Sequence, residues 1–288
     1  MDRYSLRITA AVTFFLVLSP FFFSDAPAAM NWPSESANLI RNFGWNDRGR
    51  PVLGMVFSGG TDVLAAEKGE MIFSRRKDDV ASRLPSPLGA WTALDHGDGL
   101  ISIYSRCEEI NHSYTNVEKQ EIVASAGISG WSKQKGFYFI VYDRRERRWI
   151  NPAMIVTPMK DIQAQQILSV NMMNSQGSPV VQPRNIQQGR YSVIVTTGAR
   201  GSSLAPQKIV CLVNGTEAGS LNFEVVSARD GVLMVSRNGL VPARQIYANF
   251  PAFEAAEVFF NRGQATMEII VQDIAGNSRS IISRISVN

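Results

Sequence analysis

Histidine and cysteine are the scarce residues in this chain: two of each among 288 positions. A catalytic zinc generally takes three protein ligands and keeps one position open for water. His96 and His112 cannot supply such a set alone, and His112 lies in a polar loop, Asn111-His112-Ser113-Tyr114. Cys107 and Cys211 are too few for a disulfide framework. They read first as two buried thiols, with a single bridge between them left open. Beyond the N-terminus no apolar run is long enough to span a bilayer. No segment shows the period of a helix of ordinary length with a lysine and arginine stripe, and the usual nucleic-acid motifs are missing. The formal charge of +4 therefore fits an anionic polymer or membrane surface nearby, not nucleic acid. The glycine run Ser58-Gly59-Gly60-Thr61 lacks the lysine of a phosphate loop, which excludes nucleotide binding.

The N-terminus is a composed signal. Arg3 and Arg7 precede an apolar run from Ile8 to Leu18, which resumes at Phe21 after Pro20 and ends in Ala26-Pro27-Ala28-Ala29. This is the layout of a secretory signal peptide over residues 1–29, cleaved near Ala28 or Ala29. An uncleaved anchor is the alternative. Export places the protein in the periplasm or cell envelope, with no membrane span after cleavage. Residues 30–50 form a polar, punctuated segment in which Ser34 is a plausible N-cap for a short helix over Glu35–Arg41.

From residue 51 the pattern is that of strands. Short alternating apolar runs are separated by glycine turns, and Ala90–Asp95 and Leu100–Ser105 flank His96-Gly97-Asp98-Gly99, a hairpin. Glu121–Ala126 and Gly136–Asp143 add two strands, and residues 51–156 read as one all-β domain. After a connector, residues 157–288 hold strands at Ile167–Met172, Tyr191–Thr196, Lys208–Val213, Asn222–Val226, Val232–Val235, Thr266–Asp273 and Ser280–Val287. Their number, with the turn signal Asn214-Gly215, predicts an immunoglobulin-like β-sandwich. The run Val271 to Asn277 resembles the V-x-D-x-A-G-N ending of bacterial Ig-like modules, which carries no chemistry.

The first β-domain resembles the LytM/lysostaphin zinc peptidases, metallopeptidase family twenty-three, over Phe43 to Pro152. Ser58-Gly59-Gly60-Thr61-Asp62 with Ala65 and Gly69 is similar to H-x-G-x-D-x-x-A-x-x-G, with one extra residue before the last glycine. Leu94 to Leu100 resembles the v-x-H-g-d-G-l turn, and Tyr104-Ser105-Arg106 stands for Y-a-H. Phe137-Tyr138-Phe139 falls where H-x-H belongs, and Ile150-Asn151-Pro152 matches V-N-P. The resemblance implies a LytM-type sheet and, for an intact member, zinc held by the first-motif His and Asp and the second His of H-x-H.

The departures shape the functional expectation. Ser58 replaces the first histidine, Arg106 another, and Phe137 and Phe139 the pair, or Tyr138 and Ile140 in a register one residue later. Only Asp62 survives. Arg106 would repel a metal cation. Ser58 has no neighbouring histidine in sequence to activate it. Neither zinc nor any other cofactor is expected, and no catalytic residue. His96 reads as a hydrogen-bonding turn residue. Tyr104, Tyr138, Arg144 and Arg145 are the candidate groove or partner contacts, although the run Arg144 to Arg148 also reads as a solvated hairpin tip. Degenerate members of the family bind and activate cell-wall amidases. The resemblance thus implies a non-catalytic envelope protein that binds peptidoglycan or regulates a cell-wall hydrolase. Two alternatives stand beside it: an active zinc endopeptidase with a non-standard metal site, and a structural or adhesive envelope protein.

Overall fold

The computed structural model describes residues 30–77, 85–111, 115–159, 164–198, 204–249 and 251–288. The signal-peptide region 1–29 and His112 lie outside them. Among the described residues no helix is long and apolar enough to cross a membrane. Helical structure there amounts to two three-residue 3-10 turns, at Pro152–Met154 and Ala243–Gln245. The rest is strand and turn, so the chain is all-β.

In the first half the strands are β1 (Asn38–Arg41), β2 (Asn46–Asp47), β3 (Arg50–Pro51), β4 (Met55–Ser58), β5 (Asp62–Leu64) and β6 (Gly69–Arg75). They continue as β7 (Ala90–Asp95), β8 (Leu100–Ile110), β9 (Asn116–Val117), β10 (Ile122–Ala126), β11 (Gly136–Asp143) and β12 (Arg148–Ile150). Antiparallel neighbours run β1, β4, β11, β8, β7, β6, β9, while β10 pairs with both β5 and β8. The expected hairpin is β7–β8. The helix expected over Glu35–Arg41 does not form. Ser34 Oγ does accept from Ser36 N and Ala37 N, as a cap would. The chain then turns into β1, because pairing with β4 satisfies a row of backbone groups that one isolated helical turn would leave open.

The core of this half comes from one face of the sheet. In an antiparallel pair, directly opposed residues share a face. Phe57 faces Phe137 across β4–β11, and Phe139 faces Tyr104 across β11–β8. The rings stack at 4.8 Å and tilt together at 5.4 Å between centroids. All four are buried, worth about 2–3 kcal/mol each in removed apolar surface. Backbone approach is tight here: a Cβ on Gly136 would stand 2.0 Å from the Phe57 carbonyl oxygen.

The second half holds β13 (Gln166–Asn174), β14 (Asn185–Ile186), β15 (Gly189–Gly198), β16 (Lys208–Val213), β17 (Thr216–Arg229) and β18 (Val232–Arg237). After them come β19 (Leu240–Pro242), β20 (Tyr247–Asn249), β21 (Ala252–Phe260), β22 (Gly263–Gln272) and β23 (Ser278–Val287). One layer is β13-β15-β21-β20; the other is built on β18-β17-β16-β22-β23. Every strand expected from the sequence is present. Strand β21, which pairs with β15 over eight positions, is not foreseen by the sequence reading. The D-x-A-G-N run is a turn closed on Asp273, whose carboxylate accepts from Ala275 N, Asn277 N and Asn277 Nδ2.

The two halves share a sheet. Strand β12 pairs with β11 on one side and β17 on the other. Buried Asn42 exchanges two hydrogen bonds with the Ala205 backbone, at 2.8 and 2.7 Å. Tyr247 Oη donates to the Gly44 carbonyl at 2.8 Å. The segment 30–50 is thus clamped against the second half, and this fixes where β2 and β3 stand relative to β4.

Candidate functional site

Strand alternation places Ser58, Val56, Tyr138 and Ile140 on the face of the β4–β11 pair opposite the phenylalanine core. Of the two registers open in the sequence, the later one is therefore realised beside Ser58. Phe137 and Phe139 do not turn toward Ser58; they are core side chains, exposed by 1% and 0%. The sequence alternation alone cannot separate the registers, because Phe137, Tyr138, Phe139 and Ile140 are apolar on both faces. The pairing with Met55–Ser58 separates them.

Arg106 reaches the Ser58 face through a β-bulge. The β7–β8 register passes from Ala90↔Cys107 to Trp91↔Ser105, leaving Arg106 as the extra residue. Its φ of 64° is left-handed, a conformation an L-residue adopts at a cost of roughly 1–2 kcal/mol. Its N–H donates to the Leu88 carbonyl at 2.7 Å. A bulge of this kind re-aims a side chain, and here it lays the guanidinium over the Tyr138 ring, 5.0 Å from the centroid. Tyr138 Oη is in turn fixed by accepting from Leu53 N at 2.9 Å. Burial, with Arg41 acting in the same direction, pushes the Arg106 pKa down. Its Nε is buried and has no hydrogen-bond partner among the described residues.

The remaining candidates scatter. Asp62 is exposed on β5 opposite Ser125, in a shallow cleft with Arg76 and Glu109, away from Arg106. Arg144 and Arg145 pair with Asp95 and Asp98 at 3.2 and 3.0 Å, tying the β11–β12 tip to the β7–β8 turn. Tyr104 is corrected as a groove contact, because it is fully buried. Its hydroxyl accepts from Ala66 N at 2.8 Å and lies 3.0 Å from Ser102 Oγ. His96 closes that chain, with Nδ1 2.7 Å from the Lys68 carbonyl and Nε2 2.7 Å from Ser102 Oγ. A carbonyl only accepts, so Nδ1 carries the proton, Nε2 accepts from Ser102, and Ser102 accepts from Tyr104. This is a structural tie between turn and core. Cys107 and Cys211 are buried free thiols, each pushed up to about 12 by burial.

These residues do not fit zinc. The Ser58 face offers a hydroxyl and a phenol, neither a usual zinc ligand, and a guanidinium that has no lone pair to donate. Among the described residues no three His, Cys, Asp or Glu side chains gather where one metal could take them together. The chemistry this face does support is anion recognition by a planar cation.

One protein-family model matches residues 162–288. None of the curated proteins compared matches the chain. Solved structures do match, among them lysostaphin-type peptidases at low identity. Lysostaphin from Staphylococcus simulans is 13% identical, with 90% of this chain and 100% of that one covered and a TM-score of 0.35. A zinc-containing peptidase from Vibrio cholerae is 19% identical, covering 43% of this chain and 39% of that one, with a TM-score of 0.36. The SpoIIQ–SpoIIIAH pore-forming complex is 16% identical, covering 46% and 92%, with a TM-score of 0.37.

Proposed function

We propose that the protein is a non-catalytic, exported envelope protein whose LytM-like sheet binds peptidoglycan or regulates a cell-wall hydrolase. The observation that carries this reading is the Ser58 face. Arg106, stacked on Tyr138, falls in the motif order where the resemblance would put a histidine. A guanidinium stays protonated at any working pH, so it can neither hold a metal nor accept a proton from water. The motif order from Phe43 to Pro152 supports the wall-associated role, and the layout of residues 1–29 supports export.

Two measurements on the purified protein test this. After exposure to zinc and desalting, zinc content is expected near zero. Sedimentation with isolated sacculi, or capture of a cell-wall hydrolase whose activity rises on mixing, is the expected association. One zinc per chain together with release of wall peptides would establish the endopeptidase alternative instead.

A further inference from the structure

Beside Arg106 the Ser58 face opens into a cleft of about 760 Å³. Its charged lining is Arg41, Arg48, Arg50, Arg106 and Lys133 against one acid, Asp47. Among the described residues none of these five cations takes part in an ion pair. The cations are held in place by the fold. Arg48 and Arg50 stand on the two-residue hairpin β2–β3, whose turn residues Arg48 and Gly49 both have positive φ, at 54° and 83°. Asn46 Oδ1 accepts from Gly49 N and closes that turn. Arg41 lies over the Trp45 ring at 4.3 Å, as Arg106 lies over Tyr138 at 5.0 Å.

Three costs meet at Arg106: a left-handed backbone, a buried Nε with no partner, and a like-charged neighbour in Arg41. The Tyr138 ring and the carboxylate of Asp47 offset them only in part. Strained backbone and unsatisfied buried donors concentrate where a ligand supplies the missing interaction. Two ring-stacked guanidinium forks are suited to a planar, bidentate oxyanion. Ile40, Val56 and the 75% exposed Trp131 interleave apolar surface among the cations. That mixture suits alternating acidic and apolar side chains better than a bare polyphosphate.

We propose that this cleft binds a carboxylate-bearing peptide, with Arg106 and Arg41 receiving the carboxylate and Arg48, Arg50 and Lys133 forming a cationic rim. The inference deepens the non-catalytic reading of the same face and rests on it.

The test is calorimetric titration of the full chain with a blocked hexapeptide of alternating glutamate and leucine. Its glutamine counterpart and a short polyphosphate serve as comparison probes. Saturable binding of the glutamate peptide is expected, weakening as salt rises, with little response to the glutamine peptide. Arg106→Gln is expected to weaken it about tenfold or more, the change that follows from losing a charge-assisted hydrogen bond. The exposed rim pair Arg48→Glu with Lys133→Glu leaves the core untouched and is expected to weaken it comparably. Absent binding, equal binding of the glutamine peptide, tighter binding of polyphosphate, or indifference to both variants overturns the proposal. Sacculus association without peptide binding would sink this inference alone. Peptide binding without sacculus or hydrolase association would support it and sink the envelope function.

Discussion

Replacing Arg106 by glycine separates a binding residue from a structural one. At φ 64° glycine relieves roughly 1 kcal/mol or more of left-handed strain. Removing the buried, unpartnered Nε returns about 1 kcal/mol of desolvation penalty. Against this, glycine's larger unfolded-state entropy costs about 0.5–1 kcal/mol. Loss of the guanidinium over Tyr138 costs about 0.5–1 kcal/mol more. The balance runs from about zero to about 2 kcal/mol of added stability, or up to about 8 °C in Tm for a chain of this size. Urea unfolding followed by tryptophan fluorescence measures it, with the acidic-peptide titration run in parallel. Unchanged or raised stability with binding lost is the expected pair of results. A loss above about 1.5 kcal/mol would show that the fold depends on Arg106, a size typical of a disrupted structural contact, and would refute the argument from stored cost.

The buried chain of His96, Ser102 and Tyr104 gives two further expectations. Tyr104→Phe strands the N–H of buried Ala66 and is expected to cost about 1–3 kcal/mol in urea unfolding; no measurable change would show that the bond is unimportant. The His96 pKa is lowered, first by burial, so the fold favours the neutral ring. A lowered pKa means the unfolded chain takes up the proton first, so His96's contribution is present above pH 6.5 and lost as pH falls below it. Stability of the protein minus that of His96→Gln should therefore narrow from pH 7.5 to 5.5, and a constant difference would contradict the assignment. Gly136→Ala places a Cβ 2.0 Å from the Phe57 carbonyl oxygen and is expected to break the β4–β11 pairing, read as loss of soluble folded protein. Cys107 and Cys211, with thiol pKa values pushed up to about 12, should react with an aromatic disulfide only on unfolding; fast labelling of the native protein would show either thiol to be accessible.

How far the sequence reveals the molecule depends on the range of the interaction. Turns and strands are local, so the hairpin across His96–Gly99 and the strands of the second half are legible from glycine placement and alternation. β21 is not, because Phe253, Ala255, Ala256, Val258 and Phe260 lie in a stretch as apolar as a helix face would be. Pairing with β15 and β20 makes it a strand. The helix over Glu35–Arg41 fails for the same reason, since the competing partner β4 lies about fifteen residues downstream. Which of Phe137 and Tyr138 faces Ser58 is likewise a question of register with β4. The cleft is the least legible feature. Its cations come from four separate stretches, brought together by the bulge at Arg106, the β2–β3 turn and the loop carrying Lys133.

The bulge is also what ties fold to chemistry. In regular alternation the residue after Ser105 would share the buried core face of Tyr104 and Phe139. The extra residue breaks that parity and delivers Arg106 beside Tyr138. A histidine in the same place can donate a lone pair to a metal or shuttle a proton; an arginine can do neither, and its five N–H groups only donate. An arginine at this place therefore suits an anion and not a metal cation. Arg41, Arg48, Arg50 and Lys133 around Arg106, none in an ion pair among the described residues, favour a ligand of the same negative sign.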